Sequence, residues 1–132
     1  MTRSEVPFVR VRDVVTTAIH TISRTASVKE AIDAMRRHEV SSLVVERKDE
    51  FDEFGLLVVS DIAREVIAKE RSAERVNVYE IMSKPVLTLP ADMNIKYAVR
   101  HLVTFGLSRA LVVDARRDPI GIVTLRDMVL RG

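Results

Sequence analysis

The chain has 132 residues, 47% of them hydrophobic and 30% charged, which excludes a disordered chain and suits one compact domain or two halves sharing a core. With 21 basic and 19 acidic residues the net charge is only +2, which argues against nucleic acid as a partner, and the absence of cysteine excludes disulfide and thiol chemistry. Met1–Pro7 lacks the apolar stretch of a signal peptide, and apolar runs such as Leu56–Val59 are too short to span a bilayer. A cytoplasmic location without membrane contact is expected.

The first element in chain order is a short helical turn, Arg12–Val15, followed by a short strand, Ile19–Ile22. An amphipathic helix opens at Ser27, with Ser27 and Glu30 spaced as a capping box and apolar residues at helical spacing. Two apolar strands come next, Leu43–Glu46 and Phe54–Val59, joined by a charged hairpin-like loop, and a last helix starts near Ser60. The polar stretch from Lys69 to Asn77 is expected to continue that helix as a link. The same order then recurs: a turn at Tyr79–Met82, a strand at Val86–Leu89, a helix with Asp92 as its expected N-cap and Gly106 at its end, strands at Ala110–Asp114 and Ile120–Val123, and a helix near Thr124. The expected order is β-α-β-β-α, twice, and the nearly continuous apolar strands predict sheets covered on both faces.

The recurrence is a true internal repeat. With Val11 laid on Val78, Val28, Ala31, Ile32 and Met35 fall on Ile95, Ala98, Val99 and Leu102, and Val40-Ser41 on Leu107-Ser108. After a one-residue adjustment Gly55-Leu56-Leu57 falls on Gly121-Ile122-Val123, and Asp61 on Asp127. The expected organisation is a first unit at 8–69, a linker at 70–77 and a second unit at 78–131. A unit of about 60 residues is marginal alone, so the two are expected to pack on each other.

The tandem resembles a pair of cystathionine-β-synthase (CBS) domains, the regulatory Bateman module. The resemblance rests on Arg12-Asp13-Val14-Val15 and Tyr79-Glu80-Ile81-Met82 at entry, Val40-Ser41-Ser42-Leu43-Val44-Val45 at the middle strand, and Gly121-Ile122-Val123-Thr124-Leu125-Arg126-Asp127 at exit, and it covers residues 8 to 131. It implies an α/β (α+β) fold of two units about a pseudo-two-fold axis, with two clefts between them. It also implies an adenosyl ligand (AMP, ADP, ATP or S-adenosylmethionine) bound for regulation, with no obligatory cofactor, and self-association into a homodimer.

The candidate site follows from the repeat. A carboxylate accepts both hydroxyls of a ribose, and a hydroxyl at a helix start serves a ribose or phosphate oxygen. Asp127 and Thr124 occupy those places, although Thr124-x-x-Asp127 is equally a plain capping box. By resemblance, Arg10 to Val15 and Val40-Ser41 wall this site, with Val15 and Val40 against the base; core packing is the alternative for either valine. Arg109 stands where a basic residue meets phosphate, or is a solvated or ion-paired arginine. The first repeat has Val58 for Thr124 and Ser42 for Arg109. It keeps Asp61 and adds Ser60, a residue able to cap the helix by itself. A weaker second site is therefore expected at Asp61, Ser60, Met82, Leu107 and Ser108, and no metal site.

No catalytic constellation is expected. His20, His38 and His101 are distant in sequence and assigned to surface or helix-end roles, and no Ser–His–Asp set, Walker loop or CxxC occurs. Arg36-Arg37-His38 suits a helix C-terminus, and Arg116-Arg117 sits in a loop with Asp114 and Asp118 and no aromatic platform. Two readings remain: a ligand sensor that signals to an effector protein, and a ligand-free dimerising adaptor.

Overall fold

The computed structural model describes residues 8–84 and 86–132. Met1–Pro7, which carried part of the expectation about location, lie outside it. The order of elements is α1 (Val11–Val14), β1 (Thr21–Ile22), α2 (Val28–His38), β2 (Ser42–Val45), β3 (Gly55–Val58), α3 (Val59–Ile62) running into a π-turn at Ala63–Ile67, a 3-10 turn at Val78–Glu80, β4 (Thr88–Pro90), α4 (Ile95–Thr104), β5 (Arg109–Val113), β6 (Pro119–Thr124) and α5 (Leu125–Arg131). The fold is mixed α+β with two three-stranded sheets, β1-β2-β3 and β4-β5-β6. In each sheet the first pair is parallel and the second antiparallel.

The middle strands explain the apolar runs. Leu43, Val44 and Val45 of β2, and Ala110, Leu111 and Val112 of β5, are all fully buried. Successive side chains point to opposite faces, so both faces of each sheet are covered, as expected. One face of β2 joins the core built by Val28, Ala31, Met35 and Val66. One face of β5 joins the core of Val11, Val14, Ala98, Leu102 and Met128.

Two compact units result, and they do not follow the repeat boundaries 8–69 and 78–131. A contiguous unit spans Ile19–Val86; a split unit joins the described residues up to Ala18 to Leu87–Gly132. Each entry segment docks on the body of the other repeat. In the split unit Thr16 and Ile122 exchange both backbone hydrogen bonds at 3.0 Å, and in the contiguous unit Leu56 and Ser83 do the same at 3.1 and 2.9 Å. Lys84 adds an ion pair to Asp52 in the β2–β3 loop.

The glycine that opens each exit motif has its reason here. A methyl group at 121 would lie 2.5 Å from the Thr16 carbonyl oxygen and from Val15 Cγ2, whereas one at 55 would meet mainly the Met82 sulfur at 2.7 Å. The first obstacle is backbone and the second a flexible thioether. Gly121→Ala is therefore expected to destabilise by about 1–3 kcal/mol and Gly55→Ala by less; paired urea denaturation curves check the order.

Three expectations about helix ends are corrected. Residues 70–77 do not continue the preceding helix: Glu70 turns left-handed at φ 54, Arg71 N–H returns to the Val66 carbonyl at 2.9 Å, and Val76 enters the core. The α4 N-cap is Asn94, whose side chain accepts from Lys96 N at 2.8 Å; Asp92 instead pairs with Arg12 at 2.5 Å. Ser60 does not cap α3: the N-cap position is Val58, and Ser60 is already the second residue of the helix. Ser27 does cap α2, accepting from Glu30 N at 3.1 Å.

Candidate functional site

The split unit gathers seven of the candidate residues, five of them from the site expected at Asp127. Thr124 ends β6 in an extended conformation and is the N-cap of α5; its Oγ1 accepts from Asp127 N at 3.0 Å. The capping half of the Thr-x-x-Asp pattern is thus real. Its reciprocal half is not: among the described residues no hydrogen bond or ion pair engages the half-buried Asp127 carboxylate. Both oxygens keep their acceptor capacity at a helix N-terminus, where free N–H groups also favour anions.

Arg109 is the register partner of Thr124 across β5 and β6, so it stands beside the cap. Val15 follows α1 and packs on Gly121, three residues before Thr124, and Arg131 of α5 reaches the Val14 carbonyl at 3.4 Å. The entry turn of the first repeat therefore lies on β6 and α5 of the second. Arg10 caps the other end of α1: its N–H meets Asp13 at 2.8 Å, its guanidinium lies 5.2 Å over Phe8, and its Nε is buried without a partner among the described residues.

Val40 and Ser41 belong to the contiguous unit. The core-packing alternative holds for Val40, which lies against the α2 core and spends its N–H on the Met35 carbonyl at 3.1 Å. The Ser41 carbonyl accepts Val59 N at 3.1 Å, as that of Ser108 accepts Leu125 N at 2.9 Å. Leu107 is partly exposed in the split unit and donates its N–H to Leu102 at 2.9 Å.

The equivalent corner of the contiguous unit is chemically closed. Asp61 is only 5% exposed. With Val58 unable to cap, Asp61 Oδ2 accepts Val58 N at 3.1 Å, and Oδ1 takes an ion pair from Arg64 at 2.8 Å. Met82 covers Gly55 beside it. Sequence reasoning missed Arg64. The signal was there to be found: Asp61 has an arginine three residues on, whereas Asp127 has Leu130, and such pairs share a helix face.

The described residues hold no cluster of three or more His, Cys, Asp or Glu, and no helix long and apolar enough to cross a membrane. The contiguous unit has an apolar groove of about 310 Å³ between α2 and α3, lined by Ile32, Met35, Val40, Val59, Ile62 and Ile67 among others. In the split unit the helices leave Val103, Val129 and Leu130 exposed.

Two strand–helix–hairpin bodies, each closed by the other repeat's entry segment, are the architecture of paired CBS domains, and the CBS domain family model matches residues 11–68 and 78–131. The chain belongs to the CBS domain family. It is 34% identical over 119 residues to protein MK0525 of Methanopyrus kandleri, covering 89% of this chain and 57% of that one. It thus spans little more than half of that relative. It is 31% identical to an inosine-5'-monophosphate dehydrogenase of Methanocaldococcus jannaschii, but spans only 23% of that enzyme.

Among solved structures, the hexameric CBS-CP12 protein from bloom-forming cyanobacteria matches with TM-score 0.90 and 26% identity over 95% of this chain and 68% of its own. The CBS domain pair of protein MJ0100, solved with 5′-methylthioadenosine and S-adenosylmethionine, matches with TM-score 0.76 and 26% identity over 93% of this chain and 94% of its own.

Proposed function

We propose that this CBS pair is a regulatory ligand sensor that binds an adenosyl compound at Asp127 and passes the change to an effector protein. The observation that carries the reading is the half-buried Asp127 carboxylate, without a hydrogen-bond or ion-pair partner among the described residues while Thr124 serves as the cap. A ribose diol would donate to the two carboxylate oxygens. Arg109, beside Thr124, suits a phosphate or sulfonium-bearing tail's carboxylate, whereas Val15 is buried in the core of this unit, so the core-packing alternative holds for it as for Val40. The ligand class is AMP, ADP, ATP or S-adenosylmethionine, and the adenosyl ligands of the MJ0100 pair support it. The closed corner at Asp61 supports one occupied site rather than two. Calorimetry with each compound and with 5′-methylthioadenosine, on protein shown free of carried-over ligand, tests the reading; no heat with any of them would sink it.

A second reading, a ligand-free dimerising adaptor, is favoured by the exposed Val103, Val129 and Leu130 of α4 and α5. Homodimer formation is compatible with both readings, and a cytoplasmic setting goes with the adenosyl ligand. Val129→Asp is expected to shift the protein towards monomer in light scattering at micromolar concentration. An unchanged mass would remove α5 from the interface.

A further inference from the structure

The contiguous unit holds an imidazole pair that neither the core nor the ligand reading uses. His20 lies just before β1 and His38 in the last turn of α2; their rings stack with centroids 3.7 Å apart and planes 11° from parallel. The repeat supplies an internal comparison. His20 falls on Leu87 and His38 on Phe105, so the second repeat fills the same two places with groups that cannot titrate. Near-parallel rings direct their in-plane lone pairs side by side rather than to one point, so the pair is not a metal clamp.

Its position ties three pieces of chain together. The His20 carbonyl accepts Val44 N of β2 at 2.9 Å. His38 precedes Glu39, a left-handed C-cap at φ 54, and then Val40 and Ser41, which lead into β2. The stack therefore pins the turn from α2 to β2 against the segment that leads into β1.

We propose that the His20–His38 stack is an acid-labile latch on this turn, closed while at most one ring is charged and opened when both are. It goes beyond the ligand reading and does not rest on it. Two imidazolium rings at this separation repel, whereas a neutral ring tolerates either partner. The charged or titratable groups acting on His38, which is exposed at the end of α2, are His20 and, on its own helix, Arg37. No carboxylate hydrogen-bonds either imidazole among the described residues. Desolvation, then His20, then Arg37 hold His38 below the ordinary imidazole range, outweighing the helix C-terminus, which favours a cation. The folded state therefore binds this proton less readily than the unfolded chain. The latch's stabilisation is full above the ordinary value of about 6.5 and is lost as pH falls below it.

The test is thermal unfolding of the full chain from about pH 8 to about pH 5, the window of histidine titration, for wild type, H38Q and H20L/H38F, the last copying the second repeat. Wild type is expected to lose about 3 °C or more of Tm over that window in excess of either variant. In NMR, the Val40, Ser41 and Val44 amide shifts should follow the titration of His38, and that dependence should vanish in H38Q. Parallel melting profiles for wild type and H38Q, or amide shifts at Val40, Ser41 and Val44 that do not follow His38, overturn the latch. H38Q keeps the test alive if the double variant does not fold.

Discussion

Asp127→Ala is expected to abolish ligand-induced thermal stabilisation while leaving the unliganded protein nearly as stable as before. The cap on α5 runs from Thr124 Oγ1 to the backbone N–H of Asp127, and alanine keeps that N–H. What is lost is a first-turn carboxylate that binds no other group among the described residues, worth about 0.3–1 kcal/mol through the helix dipole. A ligand at about 100 times its Kd stabilises the wild type by about 2.7 kcal/mol, and that increment should disappear. Thr124→Ala behaves differently. It removes the cap itself, costs about 1 kcal/mol without ligand, and weakens binding only in part. Thermal shift with and without S-adenosylmethionine or AMP separates the two variants. If Asp127→Ala keeps the full increment, the carboxylate is not the ribose acceptor.

Asp61→Ala is expected to fail in the opposite way, with a large loss of stability and no loss of ligand binding. Asp61 is the repeat equivalent of Asp127, but its carboxylate is buried and already committed to Val58 N and Arg64. Alanine would leave the Val58 N–H without its acceptor, which costs about 1–3 kcal/mol. Much less of the effect belongs to Arg64, whose side chain is 62% exposed and screened by solvent. Chemical denaturation should rank Asp61→Ala well below Asp127→Ala, and calorimetry should find the ligand affinity of folded Asp61→Ala unchanged. Equal stabilities for the two variants would overturn this division of labour.

Both predictions grow from one difference that is visible in the sequence, Thr124 against Val58. Its consequence was not visible. The sequence marks Asp61 as the weaker site because a hydroxyl is missing. The structure shows Asp61 already engaged, one oxygen accepting the Val58 N–H and the other paired with Arg64. Likewise Ser60 looks like a cap from its neighbours, but the N-cap is Val58 and Ser60 lies two positions beyond it. Asp92 and Asn94 differ by two positions, and the choice between them was made by the chain folding back, with Ile95 N bonded to the Val9 carbonyl at 3.1 Å. His20 and His38 are far apart in sequence, and His38 does sit exposed at a helix end, but only the tertiary fold stacks the two rings.

The sequence by itself determined the repeat, the order of elements, the buried middle strands and the places of Thr124 and Asp127. These depend on side-chain periodicity and on residues within one helical turn, which local chemistry controls. Tertiary structure alone decided that entry segments trade bodies, that Gly121 must lack a side chain under Thr16, and that two equivalent aspartates do different work. Each of those depends on backbone atoms brought together from opposite repeats, or on which of several competing donors reaches a carboxylate first. Periodicity carries no information about either.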